Sequence, residues 1–300
     1  MILLFGYGDD PSLALVRQAA RDDGAEVLVV DQRDIDDVDL RIDDMVASAG
    51  FFAVGGARVP LSRIDAVYAR PLAARTRPDP LATARGRVLA DLVVEWLDVA
   101  PGRIVNRPGA MSSNASKPYQ AQVLAECGFT VPETLVTNVP DEVRAFAARH
   151  GAVVFKSTSG VRSIVRKLDA AALTRLNHVR VLPTQFQECV SGVDVRVHVI
   201  GAEVFATEIT STAVDYRYAG RDGATCALRA VALEDELAAR CVQLAQVLDL
   251  PFAGIDLRRT PDGEVVCFEV NPMPGYSFYE ANTAQPISAA LVRHLRGAEG

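Results

Sequence analysis

Short apolar runs alternate with amphipathic segments at the start of the chain. Residues 2–5 and 26–31 are apolar runs typical of buried strands, and residues 11–23 have the spacing of a helix with one apolar face. This order of strand, helix and strand predicts a βαβ unit with a parallel sheet. The turn around Gly6 and Gly8 lacks the third glycine of a dinucleotide-binding fingerprint, and two acids follow it, so we expect no Rossmann cofactor site there.

The hydrophobic pattern predicts a first domain of roughly the first 110 residues, followed by a polar linker at 112–116. Strands dominate from Thr184 onward. The pattern predicts a hairpin over 51–61, helices over 81–99, 118–127, 140–150 and 234–248, and a last hairpin formed by 252–258 and 265–270. The predicted fold class is therefore a mixture of α/β and α+β, and the length of the chain favours two or three subdomains.

Composition excludes several classes of function. The chain has 300 residues and a formal net charge of −7, which argues against a general nucleic-acid-binding protein because such proteins need basic patches for phosphate. Its five cysteines are scattered without a CxxC pair, so we expect reduced thiols in a cytoplasmic protein, with neither a zinc site nor a disulfide framework. The first residues lack the basic lead of a signal peptide, and no apolar stretch is long enough to span a bilayer.

Lysine is rare in this chain, which has only Lys117, Lys156 and Lys167 among 31 lysines and arginines. Arginine is a wide planar fork, whereas lysine is a compact point charge on a flexible stem. In a chain that uses arginine for nearly every positive charge, a lysine is expected where a single ammonium must fit a narrow space, such as beside a phosphate. The sequences around Lys117 and Lys156 suggest that position for both. The alternative is that three surface lysines have survived by chance.

The last predicted hairpin carries polar side chains on one face. Strand side chains alternate, so Glu269 and Asn271 point the same way, whereas Phe268 and Val270 are expected to point into the core. Asp256 on the partner strand can lie beside Glu269. Two carboxylates and an amide oxygen form a hard oxygen cluster of the kind that binds Mg²⁺ together with nucleotide phosphates. The alternative is a polar face on a solvated sheet, although an unpaired acid in the apolar strand of Asp256 would be costly.

Three further segments carry groups suited to a nucleotide. The small residues 157–160 follow Lys156 and form a loop whose backbone N–H groups can cradle phosphates, unless the loop is a plain turn. Backbone groups of 187–190 can recognise adenine between subdomains. The next strand places Asp194, Arg196 and His198 on one face, where Asp194 and Arg196 can also form a purely structural ion pair; we interpret His198 as structural rather than as a ligand.

Taken in order, these residues resemble the ATP-grasp ligases, and most closely the group that contains the ribosomal-protein glutamate ligase (RimK-like) and the microviridin-type peptide macrocyclases. The resemblance covers the whole chain, and residues 114–137 are similar to the opening of the ATP-grasp region. The other matching motifs are Phe155-Lys156, the adenine hinge Gln187-Glu188, the strand motifs Asp194-Val195-Arg196 and Asp215-Tyr216-Arg217, and the metal ligands Asp256, Glu269 and Asn271.

The resemblance implies an ATP-grasp fold, with an N-terminal pre-ATP-grasp α/β domain (1–112) and two α+β subdomains (113–190 and 191–300) that enclose ATP. It also implies an ATP-dependent carboxylate–amine ligase that forms an amide through an acyl phosphate, using ATP with two Mg²⁺ ions or Mn²⁺ in their place. The implied roles are catalysis for Arg196 and Arg217, ATP binding for Lys117, Lys156, Gln187, Glu188, Cys189, Val190 and Asp194, and metal binding for Asp256, Glu269 and Asn271.

The substrate implied by the resemblance is an amino acid or a peptide, including a ribosomal peptide precursor, and the implied assembly is a homo-oligomer, a dimer or a tetramer. We expect no nucleic-acid or membrane partner. Residues 272–280 contain tyrosine and phenylalanine where the macrocyclases favour tryptophan, which speaks against a long precursor peptide. Arg70, in a basic segment, and Tyr276 are candidate substrate contacts. An ATP-grasp phosphotransferase and a non-catalytic nucleotide-binding module are the alternative functions.

Overall fold

The computed structural model describes residues 1–43, 48–73, 79–157, 165–211 and 225–298. Within these ranges no helix is both long enough and apolar enough to cross a membrane. All five cysteines are free thiols, as their scattered positions predict.

A parallel sheet with helices beside it forms the N-terminal unit. Its elements are β1 (Ile2–Gly6), α1 (Pro11–Asp22), β2 (Val27–Asp31), β6 (Ala66–Arg70), α2 (Pro80–Val99) and β7 (Arg103–Val105), and the strand order is β2-β1-β6-β7. The antiparallel strands β3 (Asp39–Ile42), β4 (Gly50–Val54) and β5 (Ala57–Pro60) form a separate sheet that contains the predicted hairpin. Every residue of β1 is buried because both faces of the parallel sheet are covered, as an apolar run without alternation predicts.

A small antiparallel sheet forms the central unit. Its elements are β8 (Thr134–Thr137), α5 (Pro140–His150), β9 (Val153–Ser157), β10 (Arg166–Lys167), α6 (Ala170–Thr174) and β11 (Thr184–Glu188), with strand order β10-β9-β11-β8. Phe146 of α5 and Phe186 of β11 belong to the buried core of this unit. The core has six buried apolar residues, fewer than the core of either flanking unit.

A larger antiparallel sheet forms the C-terminal unit. Its elements are β12 (Val193–Ile200), β13 (Glu203–Ser211), β14 (Cys226–Val231), α7 (Asp235–Val247), β15 (Phe252–Arg259), β16 (Val265–Asn271), α8 (Ser277–Thr283) and α9 (Ile287–Arg296), with strand order β14-β13-β12-β15-β16. The predicted long helix and last hairpin are both present. On β15 the half-buried Asp256 lies between the buried residues Ile255 and Leu257, whereas β12 is buried throughout from Val195 to Ile200.

The segment that joins the N-terminal and central units is helical. The predicted polar linker at 112–116 contains a 3₁₀ turn, Ser112–Ala115, which joins α3 (Pro108–Met111) to α4 (Lys117–Glu126). Val123 and Leu124 of α4 share a buried core with β12, β15 and β16. This helix therefore packs on the C-terminal sheet, although it lies in the 113–190 range of the predicted central subdomain.

The N-terminal and C-terminal units share a second core. Leu4 of β1 and Tyr68 of β6 pack in one cluster with Phe252 of β15 and Leu295 of α9. Asn106 is buried between the units, where its side-chain amide donates to the backbone carbonyl oxygens of Phe252 and Pro272 and accepts from the backbone N–H of Phe252 at 3.0 Å. These contacts fix the position of β15 and the end of β16 against the N-terminal sheet.

Candidate active site

Three charged side chains lie in a row across the C-terminal sheet. Arg196 on β12 is opposite Asp256 on β15, and Asp256 is opposite Glu269 on β16. Directly opposed residues in an antiparallel sheet have Cβ atoms roughly 5 Å apart, so all three side chains emerge close together on one face. This register confirms the expected placement of Asp256 beside Glu269.

A β-bulge sets the direction of the β16 side chains. After the Asp256–Glu269 pair the register shifts, and Leu257 is opposite Cys267, which leaves Phe268 as the additional residue. The expectation that Phe268 points into the core is therefore wrong: Phe268 is half-buried under the guanidinium of Arg258, at 5.1 Å from its ring centroid, and Cys267 is the buried residue. Glu269 consequently faces the same side of the sheet as Asp256.

Lys117 and Lys156 converge on Glu269 from two different elements. The Nζ atom of Lys117, the first residue of α4, lies 3.0 Å from Oε2 of Glu269, and the Nζ atom of Lys156 on β9 lies 3.5 Å from the same oxygen. Asn114 accepts a further hydrogen bond from Lys117 at 2.8 Å. Lys117, Lys156 and Glu269 are all largely shielded from solvent. Two ammonium groups beside one carboxylate leave an excess of positive charge, which favours the binding of an anionic ligand.

Arg196 is held tightly beside Asp256. Its Nη1 atom lies 2.5 Å from Oδ1 of Asp256, and its Nε donates to Nε2 of His198 at 3.5 Å. The pKa of His198 is held well below its ordinary value, first because the ring is fully buried and then because Arg196 is positively charged. A neutral imidazole can accept from the guanidinium without repelling it, which agrees with the structural interpretation of His198.

Gly254 makes room for the Arg196 side chain. A Cβ atom at this position would lie 2.2 Å from Nη2 of Arg196 and 2.6 Å from Cβ of Pro274. The glycine is thus required by the close approach of the guanidinium to the β15 backbone rather than by a special backbone angle. Gly254 is opposite Asn271, so the space it leaves adjoins the third predicted metal ligand.

The oxygen donors of this site fit Mg²⁺. Asp256 and Glu269 supply adjacent carboxylates, and Asn271 lies two residues beyond Glu269 on the same strand, where its side-chain oxygen accepts from the backbone N–H of Met273 at 2.9 Å. Among the described residues no cluster of three or more His, Cys, Asp and Glu side chains could hold a metal by itself. Mg²⁺ takes few protein ligands and completes its shell with water and phosphate, so two carboxylates and an amide oxygen suffice.

The predicted adenine hinge lies at the junction of the central and C-terminal units. The backbone N–H of Glu188 donates to the carbonyl of Glu133 at 3.1 Å and that of Cys189 donates to the carbonyl of Ala152 at 2.9 Å. The Glu188 carboxylate accepts from the backbone N–H of Glu133 at 2.8 Å. These donors and this acceptor therefore already hold the hinge to the central unit.

Side-chain contacts on both sides of the hinge tie it to the two sheets. The Gln187 amide donates to Oγ1 of Thr134 at 3.0 Å. The carbonyl of Val190 accepts from Arg258 at 2.7 Å, and Asp194 pairs with the same guanidinium. Asp194 and Arg196 lie opposite Arg258 and Asp256 of β15, and each pairs with the residue opposite it.

Arg70 and Tyr276, which the sequence suggested as substrate contacts, are both buried inside the molecule. Arg70 is buried between Oδ1 of Asp10, 3.0 Å from its Nε, and the carbonyl of Pro274, 2.8 Å from its Nη1. Tyr276 is fully buried, and its hydroxyl donates to the carbonyl of Ser12 at 2.7 Å. Both side chains join the first helix to the segment after β16, so in this structure they hold the units together.

Replacing Arg70 by Met is expected to lower the free energy of unfolding by about 3 kcal/mol, because the Asp10 carboxylate would remain buried without its counter-charge. Denaturant unfolding followed by circular dichroism measures the change. Arg63→Met is the matched control, since Arg63 forms an exposed pair with Glu26 and its loss should change stability little. Equal stability of the two variants would contradict the assigned role of Arg70.

Two buried polar residues of the site carry no recognisable motif. Gln120 on α4 donates to the carbonyl of Val270 at 2.8 Å and accepts from its N–H at 3.0 Å, which fixes Lys117 near Glu269. Gln185 is opposite Lys156 and is buried, and its side-chain oxygen has no hydrogen-bond partner among the described residues. The only sequence signal is a glutamine at a position where an apolar residue is expected. Arg217 and the loop from 158 to 164 lie outside the described residues.

A carboxylate pair beside two lysines, between a small sheet and a larger one, defines the class of ATP-dependent ligases with the ATP-grasp fold. The family model of the RimK-like ATP-grasp domain matches residues 114–295, and the chain belongs to this family. The resemblance found in the sequence and the predicted fold class are thereby confirmed.

Named relatives and solved structures agree with this assignment. A probable alpha-L-glutamate ligase of Azotobacter vinelandii is 24% identical over 212 residues, which cover 67% of this chain and 68% of that protein. Probable alpha-L-glutamate ligase 2 of Hahella chejuensis is 29% identical over 214 residues, which cover 68% of this chain and 69% of that protein. The ATP-grasp ligase PsnB, solved with a minimal precursor variant, Mg and ADP, is 27% identical with a TM-score of 0.82 over 99% of this chain and 97% of that chain. The macrocyclase MdnC from Microcystis aeruginosa is 22% identical with a TM-score of 0.84 over 99% and 100%, which shows the same fold.

Proposed function

We propose that this chain forms an amide bond between a peptide carboxylate and an amine, at a site built by Lys117, Lys156, Arg196, Asp256, Glu269 and Asn271. The observation that carries the proposal is the convergence of both lysines on Glu269 beside the Arg196–Asp256 pair. A peptide is favoured because PsnB, a solved relative 27% identical to this chain, is complexed with a variant of its minimal precursor. The named glutamate ligases support an amino-acid amine as the second substrate.

Each residue of the site has a part in this chemistry. When bound, ATP with Mg²⁺ supplies an activated γ-phosphoryl group for the carboxylate substrate. Asp256, Glu269 and Asn271 would hold the metal ion, while Lys117 and Lys156 would leave Glu269 and contact phosphate oxygens. Arg196 remains fixed by Asp256 and His198 and presents positive charge where the carboxylate reacts. Such prearranged charge stabilises a transition state without reorganisation.

The balance of products tests the proposal. Purified protein is incubated with ATP, Mg²⁺, acidic peptides and amino acids, and ADP, phosphate and product masses are measured. Condensation with loss of water and release of one phosphate per amide supports a ligase. Phosphate retained on the product would instead show a phosphotransferase, and nucleotide binding without turnover across all substrate pairs would show a binding module. Either result would overturn amide formation.

Replacing Lys156 by Arg is expected to weaken ATP binding at least about tenfold, because the planar fork does not fit the slot that the single ammonium fills beside Glu269. The side chain of Lys156 is only 16% exposed, so there is little room for the wider group. Isothermal titration with a non-hydrolysable ATP analogue measures the change. Lys167→Arg on the exposed strand β10 is the matched control and should bind as the wild type does. Unchanged affinity in Lys156→Arg would mean that the scarcity of lysine carries no information.

A further inference from the structure

Gln185 lies on the face of the central sheet that borders the C-terminal sheet. It is directly opposite Lys156 on the neighbouring strand β9, so the two side chains leave the sheet on the same face. Lys156 reaches Glu269 of the C-terminal sheet, which shows that this face borders the candidate active site. The opposite face, with Phe186, packs on α5 in the core of the central unit. Gln185 therefore points toward the site rather than into the core.

The amide of Gln185 has hydrogen-bonding capacity that the protein leaves unused. Only 4% of the residue is exposed, and its side-chain oxygen Oε1 has no hydrogen-bond partner within the described part of the chain. Nearly all buried polar atoms of folded proteins are paired, because an acceptor that has lost water and gained no donor is costly. The buried Gln32 shows the usual arrangement, since its amide donates to the carbonyl of Leu72 and accepts from its N–H, both at 3.0 Å. An unpaired amide oxygen directed at a ligand site indicates that the ligand supplies the donor.

The position of Gln185 indicates which part of a nucleotide supplies that donor. Gln187, the first residue of the predicted adenine hinge, lies two residues further along β11, roughly 7 Å away and on the same face. Lys156, opposite Gln185, is the residue that would contact phosphate oxygens. The same face carries Val136 opposite Gln185 and Val154 opposite Gln187, and such apolar side chains suit a flat aromatic base rather than a ribose. The base is therefore the part of the nucleotide that lies beside the amide.

Two backbone donors of the hinge are already occupied. The N–H groups of Glu188 and Cys189 donate to the carbonyl oxygens of Glu133 and Ala152 of the central unit. These two groups would have to give up those bonds in order to recognise ring nitrogens of a base. The Gln185 amide oxygen can accept from a base without breaking any hydrogen bond to the described residues.

We propose that the Gln185 amide binds the edge of adenine that carries the 6-amino group and makes this site select adenine over guanine nucleotides. Oε1 accepts from the 6-amino group while Nε2 donates to the ring nitrogen N7, which is the pairing that a glutamine side chain forms with adenine. Guanine presents two acceptors, O6 and N7, at the same edge, so one of them would face Oε1 unpaired. This role of Gln185 rests on the proposed use of ATP at the site, to which it adds the residue that sets the choice of base.

Isothermal titration with nucleoside diphosphates tests this role, because diphosphates bind without being turned over. ADP, GDP and purine riboside diphosphate, which lacks the 6-amino group, are compared in the presence of Mg²⁺. The wild type should bind ADP at least about tenfold more tightly than either of the other two. Gln185→Met keeps the length of the side chain without its polar atoms. It should weaken ADP binding about tenfold and leave the affinity for purine riboside diphosphate unchanged or higher, because no unpaired amide then faces the base.

Thr184→Val is the matched control. Thr184 precedes Gln185 on β11, its side chain lies on the other face, and its hydroxyl donates to the carbonyl of Leu182 at 3.1 Å, so the preference for ADP should persist. Circular dichroism verifies that each variant is folded. A wild type that binds ADP and purine riboside diphosphate equally well would overturn the role of Gln185 without any variant. Equal losses of affinity for both in Gln185→Met would show that the amide orders Lys156 instead. Both results leave the ligase activity standing, whereas failure to bind any nucleotide would overturn the proposed function as well.

Discussion

Replacing Glu269 by Gln is expected to reduce ligase turnover by at least about 100-fold while the protein still binds ATP in the absence of metal. Glu269 is the carboxylate that both lysines contact and that lies opposite Asp256, so its charge is needed to hold a metal ion. Its removal also frees Lys117 and Lys156 from an anionic competitor, and metal-free ATP should therefore bind as well as before or more tightly. Steady-state kinetics with Mg²⁺ and titration of ATP with a chelator present measure the two effects.

Glu264→Gln is the matched control for this experiment. Glu264 lies in the same hairpin and contacts Thr130 at the surface, at 2.7 Å, so its loss should leave turnover unchanged. Turnover of Glu269→Gln at the level of the control would remove Glu269 from the site. Loss of metal-free ATP binding together with turnover would instead show that the carboxylate orders the two lysines, and the proposed competition for them would be wrong.

Replacing Arg196 by Lys is expected to lower turnover by about 100-fold or more with little change in the affinity for ATP. The arginine contacts Asp256 with one nitrogen and His198 with another, and a single ammonium cannot hold both positions. Stopped assays of product formation and direct ATP titration separate the two quantities. Gly254→Ala should reproduce the loss without changing the arginine, since the new Cβ would displace its guanidinium.

Arg229→Lys is the control for Arg196→Lys, because Arg229 pairs with Glu208 on the same sheet in an exposed position. It should retain full turnover. Activity in Gly254→Ala equal to that of the wild type, in a protein whose ATP affinity is also unchanged, would show that the exact position of Arg196 is unimportant. Reduced ATP affinity in Arg196→Lys would place the guanidinium on the nucleotide rather than on the reacting carboxylate.

Local patterns in the sequence predict most of the elements that build the site. The alternation in the last hairpin places Asp256 beside Glu269, and the rarity of lysine identifies Lys117 and Lys156, which the structure brings to one carboxylate. These predictions succeed because side-chain alternation and charge are local properties.

The predictions that fail depend on contacts between distant segments. A bulge opposite Asp256 turns Phe268 out of the core, and no local pattern announces an additional residue in a strand. Arg70 and Tyr276 look available for a substrate in the sequence, but α1 and the segment after β16 bury them. The ion-pair partner of Asp194 is Arg258, which lies on the neighbouring strand and 64 residues further along the chain. Local sequence cannot indicate a partner at that separation.

The molecule has two cooperative units of unequal size. The larger unit is held together by the core that β1, β15 and α9 share, and the smaller unit is the central sheet. Leu4 and Leu295 belong to one cluster, so we expect the N-terminal and C-terminal sheets to lose their amide protection together. The central sheet has a separate core of six buried residues and can open at a lower free energy. Lys156 lies on that weaker unit, whereas Lys117, Asp256 and Glu269 lie on the stronger one. A ligand that contacts Lys156 and also the residues of the larger unit ties the two units together. Its binding therefore stabilises the central unit most, because that unit is the less stable one on its own.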